Sequence, residues 1–352
     1  MPALADQALL QLFERHRNEL RLHCYRMLGS SHDADDVLQE TAVRAWRGKA
    51  SLLDVTHVRA WLYRITTNVC LDELKSRRAR MLPFEAGPPA ADVTAALAPA
   101  DREAFVEPCP DAWLGDAESD PAARYESHES VRLAFVAALQ YLTPTQRATL
   151  LLRDVVGLSA DETANALGLG LQATNSALFR ARSAVDSKLA GKTPAEPGPR
   201  SAAVQALLAR YLLAWNQIDV EAFVGLLHEE VRTTMPPVPT WLAGKAQHEA
   251  FYRPMFAAQR PGGFVVVPTA ANGQPAFAFY RALSEREPHR LRAIQLVEVR
   301  HGAVVSIDHF MLPELAAAFA LPTELEGLRV QDLGAGRPCI DLAQAALGRL
   351  SR

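Results

Sequence analysis

Residues 83–128 interrupt the chain more sharply than any other stretch. They are rich in proline, alanine and acidic residues, and they show little hydrophobic periodicity. A loop this long is improbable inside one compact domain, so the stretch is predicted to be an interdomain linker. A chain of 352 residues also has room for two or three domains. Separate folded units are therefore expected on either side of it.

The segment before the linker, residues 1–82, is predicted to be a helical bundle. LLQLFERHRNELRLHCYRML is amphipathic, and the GSSH that follows breaks the helix and offers Ser30 or Ser31 as an N-cap. The next helix contains DADDVLQETAVRAW, in which three acidic residues share one stripe of a helical wheel and small or apolar residues occupy the opposite stripe. The acidic residues are Asp33, Asp36 and Glu40.

A third helix is predicted in VRAWLYRITTNVCLDELKSRRAR. Four apolar residues in it repeat at core spacing: Val58, Leu62, Ile65 and Val69. The opposite face carries Trp61, Arg64, Asn68, Asp72 and Lys75, followed by Arg77, Arg78 and Arg80. Cations suit phosphates, an amide suits a base edge and an aromatic ring suits an unstacked base. This face is therefore a candidate nucleic-acid surface, although a core position for Trp61 fits its pattern nearly as well.

Residues 129–192 show two helix starts and a tight turn. Thr143 and Gln146 form one predicted capping box, and Ser159 and Glu162 form another. A turn with two glycines then leads into a last helix, which is the pattern of a helix-turn-helix. In that last helix Thr174, Leu178, Ala181 and Val185 face inward, which leaves Gln172, Asn175, Ser176, Phe179 and Arg182 outward and Arg180 at the edge.

After a second linker, residues 193–200, the pattern changes to an α+β domain over residues 201–320. Two helices are predicted in AAVQALLARYLLAWNQI and DVEAFVGLLHEEV, and strands in GGFVVVPTA, PAFAFYRAL, RLRAIQLVEVR and AVVSIDHFML. Asn272-Gly273 and His301-Gly302 are typical hairpin turns. Residues 321–352 are left as a C-terminal tail.

The net charge of −3 hides an uneven distribution. Residues 1–80 carry 13 basic and 10 acidic side chains, whereas residues 81–128 carry 2 basic and 10 acidic ones. Residues 129–200 are again weakly basic, with 8 basic and 6 acidic side chains. Two basic segments joined by an acidic one suggest an anion-binding surface beside an anion mimic.

Several classes of protein are disfavoured. The four cysteines stand far apart without CxxC or zinc spacing, which indicates reduced thiols and no metal centre. No window approaches the ~18 apolar residues of a membrane span, and the N-terminus lacks the apolar core of a signal peptide. We therefore expect a cytoplasmic protein without a membrane partner and without a cofactor.

The two helical segments resemble region 2 and region 4 of the extracytoplasmic-function (ECF) sigma factors, which belong to the sigma-70 family. DADDVLQET matches the element that holds the RNA polymerase core, and RAWLYRITTNVCLDELKSRRAR matches the promoter-melting helix. LTPTQRATLLLRDVVGLSADETANALG…SALFRAR resembles region 4. In this family the acidic helix docks on a basic coiled coil of the polymerase, and the matching positions here are Asp36, Gln39 and Glu40.

The resemblance also implies two DNA-binding surfaces. The third helix and the loop before it would take a flipped base of the minus-ten element, with Trp61, Arg64, Asn68, Lys75, Arg77 and Arg78 as its residues. The last helix would read the minus-thirty-five element with Gln172, Asn175, Ser176, Phe179, Arg180 and Arg182. Asn175 and Ala177 depart from the family, which often has basic residues there. We therefore expect a shallower salt dependence of promoter binding. The acidic linker would lie in a basic polymerase channel that otherwise holds RNA.

The C-terminal segment resembles the cone-shaped SnoaL-like fold of polyketide cyclases and nuclear transport factor. Such a cone encloses a pocket, for which the candidate wall and polar residues are Trp215, His228, Met235, Trp241 and His309. Asp308 is a further candidate acid, but adjacent strand residues point to opposite faces, so Asp308 and His309 cannot both face inward. No catalytic dyad is evident.

The expectation is thus a multidomain protein with two all-α sigma domains, a region 2 helical bundle and a region 4 helix-turn-helix, followed by a C-terminal α+β cone-shaped SnoaL-like domain. It would be a sigma factor, not an enzyme, that binds polymerase core and promoter DNA. Its C-terminal domain would regulate it by contact with the sigma domains or by a small ligand. The alternatives are a cyclase or isomerase fused to targeting domains and a plain helix-turn-helix repressor.

Overall fold

The computed structural model describes residues 6–52, 57–93, 101–114, 128–189, 201–259, 263–284 and 287–325. The chain divides into two units, and the predicted linker is shared between them. Residues 1–81 and 106–192 form the helical unit, and residues 82–105 and 193–352 form the sheet unit. The predicted C-terminal tail lies outside the described residues from position 326 onward.

Three long helices open the helical unit: α1 (Asp6–Leu28), α2 (Ser31–Gly48) and α3 (Val58–Leu74). The hydroxyl of Ser30 accepts the backbone N–H of Asp33 and so caps α2, which confirms one of the two predicted N-caps. The predicted core stripe of α3 is confirmed at Val58, Leu62 and Val69, which are buried. Ile65 is half-buried against the same cluster.

Four helices follow in the second part of the helical unit. They are α5 (Leu133–Gln140), α6 (Pro144–Leu150), α7 (Ala160–Leu167) and α8 (Leu171–Leu189), with one π-helical turn at Leu151–Val155. Both predicted capping boxes are present at the starts of α6 and α7. Gly168 ends α7 with a φ of 64°, a left-handed conformation that a glycine adopts without strain. The helix-turn-helix is confirmed as α7, the turn and α8.

Part of the predicted linker is docked on the helical unit. Trp113, in a short 3-10 turn at Asp111–Leu114, is 3% exposed and lies edge-on to Tyr25. The Arg21 guanidinium stacks 3.9 Å from the Trp113 ring. The Tyr25 hydroxyl donates to the backbone oxygen of Glu107 at 2.9 Å. Residues 106–114 therefore belong to the fold of this unit, and the predicted linker does not extend over them as an unstructured loop.

The sheet unit contains α4 (Pro83–Ala86), α9 (Ala202–Gln217), α10 (Val220–Gly225) and α11 (Lys245–Ala257). Its strands are β1 (Leu227–Met235), β2 (Val238–Ala243), β3 (Phe264–Ala271), β4 (Gln274–Arg281), β5 (His289–Arg300), β6 (Ala303–Phe310) and β7 (Glu324–Leu325).

The strands form one mixed sheet in the order β2-β1-β6-β5-β4-β3, with β7 paired to β5. β1 and β6 are parallel, and the other described pairs are antiparallel. Both predicted hairpin turns are confirmed: Asn272 and His301, like the glycines that follow them, have positive φ. One prediction is wrong, because the helix predicted through HEEV ends at Gly225 and Leu227 already begins β1.

The core of the sheet unit is aromatic. α9, α10 and α11 cover one face of the sheet, and their side chains interlock with residues of the strands. Trp215 of α9 meets Phe223, Tyr252, Phe256 and Phe279 at ring-centroid distances of 4.8 to 5.8 Å. No helix among the described residues is long and apolar enough to span a membrane. Nor do the described residues group His, Cys, Asp and Glu side chains as a metal site would.

Candidate nucleic-acid and protein interfaces

The outer face of α2 presents an acidic ridge, which we define as Asp36, Gln39 and Glu40. All three residues are exposed. The helix beneath them is fixed by buried residues such as Val37 and Leu38, which are 4% and 2% exposed. Further along the same helix, Trp46 leaves 56% of its surface exposed. A rigid helix that shows carboxylates and a half-exposed tryptophan is suited to a protein partner.

Asp33 does not belong to this ridge, which corrects the helical-wheel prediction. It is 7% exposed and accepts hydrogen bonds from Arg77 and, at 2.6 Å, from Arg80. Burial raises the pKa of the Asp33 carboxyl, although Arg80 and Arg77 pull it down. The buried Arg80 also lies 3.9 Å from Glu107. This cluster fixes the chain that follows α3 to the start of α2.

Glu107 was not singled out from the sequence, yet it is central to this cluster. It is 2% exposed, and its Oε2 accepts the hydroxyl of Ser30 at 2.7 Å and the hydroxyl of Ser31 and the backbone N–H of His32 at 3.4 Å. A carboxylate at the N-terminus of α2 interacts favourably with the helix dipole. In the sequence Glu107 lies in VEPCPDAWL, a short motif that ends in apolar residues inside the acidic stretch.

On α3, Arg64 and Asn68 are exposed on the predicted nucleic-acid face, and Lys75 and Arg78 are exposed just beyond the C-terminal end of the helix. Asp72 accepts hydrogen bonds from Lys75 at 2.8 Å and from Arg44 at 2.9 Å, so it orients its cationic neighbours. Part of the predicted loop before the helix, residues 53–56, lies outside the described residues.

Two members of the predicted minus-ten surface are corrected. Trp61 is 8% exposed, belongs to the core cluster and donates its indole N–H to Ser51 at 3.0 Å. It is a core aromatic, the alternative that the pattern had left open. Arg77 is half-buried and paired with Asp33 and, at 2.7 Å, with Glu73, so its charge is turned toward the protein.

α8 places all its predicted outward residues at the surface. An open groove along the helix is lined by Leu171, Gln172, Asn175, Ser176, Phe179 and Arg180. Phe179 is 72% exposed, which is unusual for an aromatic ring. The four predicted inward residues are buried, and so is Ala177. The sixth outward residue, Arg182, is exposed but held by Asp154 through two hydrogen bonds of 2.7 and 2.8 Å.

The predicted pocket of the C-terminal domain is largely filled. Trp215 and Met235 are 3% and 4% exposed and belong to the core cluster. His309 faces this interior, where its Nδ1 accepts from the Gln295 amide at 3.0 Å and Gln295 accepts from the Tyr211 hydroxyl at 2.6 Å. Burial lowers the pKa of His309 to about 4. A neutral imidazole tied into such a chain serves packing.

Two other predicted pocket residues lie elsewhere. His228 is half-buried at the start of β1, where its Nδ1 accepts the backbone N–H of Glu230. Trp241 lies on the face of β2 that points away from Leu242 and the core. Asp308 points to the face opposite His309, as predicted, and accepts from Thr234 at 2.7 Å and from Ser306 at 3.4 Å.

The face that carries Trp241 is covered by the first part of the predicted linker, residues 83–93. The ring of Phe84 lies edge-on to Trp241 and 3.9 Å beneath the Arg232 guanidinium. The Trp241 indole donates to the Gly87 oxygen at 2.8 Å, and the Ala90 N–H donates to the Trp241 oxygen at 2.9 Å. The sheet unit thus holds the chain that follows the third helix.

Comparisons with known proteins assign these segments. The sigma-70 region 2 model matches residues 12–80, a sigma-70 region 4 model matches residues 132–185, and the SnoaL-like domain model matches residues 208–307. ECF RNA polymerase sigma factor SigG of Mycobacterium tuberculosis is 40% identical over 314 residues, which cover 89% of this chain and 83% of SigG. The chain belongs to the ECF sigma factors.

A second relative supports the same architecture. ECF sigma factor SigJ of Mycobacterium tuberculosis is 26% identical over 346 residues, or 92% of this chain and 97% of SigJ. The crystal structure of SigJ matches with a TM-score of 0.57 at 22% identity and covers 89% of this chain and 99% of SigJ. At that identity the match shows the shared fold.

As an ECF sigma factor, the protein binds RNA polymerase core and promoter DNA and directs the initiation of transcription. A plain repressor is thereby excluded. The sigma-70 regions also account for the charge pattern, since the weakly basic segments are the two regions and the acidic segment is the chain between them.

Proposed function

We propose that the acidic ridge of α2 is the handle by which this sigma factor grips polymerase core. Asp36 and Glu40 are exposed on a helix that is fixed from below, so they can meet a basic partner without reorganising the fold. Gln39 lies between them and can add a hydrogen bond. The observation that carries this proposal is the exposure of these side chains on the helix that also carries the half-exposed Trp46.

Charge reversal tests this assignment. The Asp36→Lys, Glu40→Lys double variant should lose core binding in a pull-down and keep its thermal transition. In α1 the exposed Glu14 pairs with Arg17 as Glu40 pairs with Arg44, so Glu14→Lys is the control and should bind core normally. Unchanged core affinity in the double variant would remove the ridge from the interface.

We assign promoter recognition to two sets of exposed residues. The minus-ten element is bound by Arg64, Asn68, Lys75 and Arg78. The minus-thirty-five element is read by the outward residues of α8, whose amides can pair with adenine and whose Phe179 can meet a thymine methyl. These residues are Gln172, Asn175, Ser176, Phe179, Arg180 and Arg182. Phe179→Ala should weaken holoenzyme binding to promoters with a thymine at the contacted position and leave core binding intact. Equal binding to all promoter variants would refute the role of Phe179.

The C-terminal domain, we propose, regulates initiation through the chain that it holds, and does so in the compartment of polymerase and promoter, the cytoplasm. Its interior is filled by aromatic rings, which favours regulation over turnover of a substrate. Trp241→Ala should change the amount of run-off transcript made with core polymerase but not its start site. Identical transcript from the variant and the parent would defeat this role. Turnover of a cyclase or isomerase substrate by the parent would restore the enzyme alternative.

A further inference from the structure

Lys75, which the minus-ten assignment places on DNA, is paired with a carboxylate in this structure. Its Nζ donates to Oδ1 of Asp72 at 2.8 Å, although 76% of the lysine side chain is exposed. An ammonium group held by a carboxylate attracts a phosphate less strongly, and the carboxylate itself repels the phosphate. Lys75 must therefore be released from Asp72 before it can contribute fully to DNA binding.

A second cation reaches the same carboxylate from α2. Arg44 donates a guanidinium N–H to Oδ2 of Asp72 at 2.9 Å, so each oxygen of Asp72 accepts from one cation. The Nε of Arg44 donates to Glu40 of the acidic ridge at 2.8 Å. Arg44 thus joins the ridge assigned to core polymerase to the carboxylate that holds a DNA-binding lysine.

These four side chains form a line of alternating charge at the surface, the charge chain, which we define as Glu40, Arg44, Asp72 and Lys75. Their side chains are 40 to 76% exposed. Hydrogen bonds from Lys75 and Arg44 lower the pKa of the Asp72 carboxyl, and those to Glu40 and Asp72 raise the pKa of Arg44. All four groups therefore stay charged near neutral pH. Exposed ion pairs are individually weak, so a new charge at one end of the chain can change the pairing at the other.

We propose that Arg44 is a positioning residue that couples core binding at Glu40 to the release of Lys75 at the DNA surface. The proposal rests on the assignment of the acidic ridge to core polymerase and of Lys75 to the minus-ten element. A basic partner that binds Glu40 removes one of the two acceptors of Arg44. The planar guanidinium then binds both oxygens of Asp72 in a bidentate pair. Because Lys75 occupies one of those oxygens, it is displaced and becomes available to a phosphate.

The coupling acts in both directions. If core binding releases Lys75, then DNA that binds Lys75 must strengthen core binding by the same factor. The exchange involves one exposed ion pair, which limits this factor to about fivefold.

The salt dependence of DNA binding tests the charge chain. Holoenzyme is titrated into promoter DNA that is premelted across the minus-ten element, and fluorescence anisotropy gives the affinity at several potassium chloride concentrations. Lys75→Gln should make the slope of log K against log salt shallower by about 0.7 to 0.9, the effect of one phosphate contact. Arg44→Gln should cause the same loss. The double variant should lose no more than either single variant, because the two residues act as one unit.

Arg44→Lys separates positioning from direct contact with DNA. It keeps the positive charge but lacks the planar fork that binds both oxygens of a carboxylate, so its slope should be as shallow as that of Arg44→Gln. A parental slope in Arg44→Lys, or additive losses in the double variant, would show that Arg44 contacts DNA itself and would overturn the proposal.

Failure of the coupling and failure of the minus-ten assignment are distinguishable. A parental slope in Arg44→Gln beside a shallow slope in Lys75→Gln would overturn the coupling alone and leave Lys75 on the DNA surface. A parental slope in Lys75→Gln would overturn both.

Core affinity gives a readout that a loss of structure would not reproduce. Without DNA, Arg44→Gln should bind core at least as tightly as the parent, because Glu40 loses an intramolecular competitor. With DNA, the variant should lose up to about fivefold of the tightening that the parent shows. Arg17→Gln is the matched control, since Arg17 pairs with Glu14 on α1 at 2.9 Å with similar exposure, and it should change neither quantity. Parental tightening in Arg44→Gln, or weaker core binding without DNA, would refute the coupling.

Discussion

Asp154 restrains Arg182, a cation of α8 that would otherwise be available to DNA. Its carboxylate holds Arg182 in a bidentate pair, with distances of 2.7 and 2.8 Å. Among the residues that line the α8 groove, Arg180 is the one with a positive charge. Asp154→Asn should therefore release Arg182 to contact a phosphate. Because exposed ion pairs contribute at most about 1 kcal/mol, the fold should be little affected.

The magnitude follows from counterion release. One additional phosphate contact should steepen the slope of log K against log salt by about 0.9. Relative to ~1 M salt, a slope that is steeper by 0.9 makes the affinity at ~0.15 M salt about fivefold higher. The measurement is fluorescence anisotropy of promoter DNA titrated with holoenzyme at several potassium chloride concentrations.

The controls separate a released arginine from a general charge effect. Glu14→Gln makes the same change in net charge far from the reading helix and should leave the slope unchanged. Adding Arg182→Gln to Asp154→Asn should abolish the gain, since the two residues act as one unit. An unchanged slope in Asp154→Asn, or a gain that survives the loss of Arg182, would show that Asp154 does not restrain this cation.

Three further predictions concern the anchors of the fold. Burial lowers the pKa of His23 to about 3. The stability that the neutral imidazole contributes is therefore complete above the unfolded pKa near 6.5 and is lost as the pH falls from about 6.5 toward 3. Between pH 6.5 and 3 the helical unit should lose about 1.4 kcal/mol per pH unit in urea unfolding, and His23→Gln should flatten this slope. Phe84→Ala removes a cation–π contact and an aromatic pair worth about 2 kcal/mol together, so hydrogen exchange at the Ala90 amide should rise roughly thirtyfold, whereas Ala86→Ser should not change it. Glu107→Gln should lower the free energy of unfolding of the helical unit by about 2 kcal/mol in chemical denaturation, because the N-terminus of α2 loses an anionic acceptor, while Glu103→Gln at an exposed site should have no effect.

Local rules predicted the helices well. Capping boxes and apolar spacing identified α6, α7 and α8, because these signals depend on neighbours three or four residues away. The same rules failed at LLHEEV, whose apolar spacing suits a helix. There the pairing of β1 with β2 and β6 decided the outcome, and neither partner is visible from the local sequence.

The errors in the site have a common cause. A helical wheel shows which residues share a face, but not what covers that face. The helical wheel places Asp33 and Trp61 on exposed faces, yet the chain after α3 covers Asp33 and the hydrophobic core of the helical unit includes Trp61. Phe84 and Glu107 escaped notice because an acidic, proline-rich stretch without periodicity gives no hint of its docking partner.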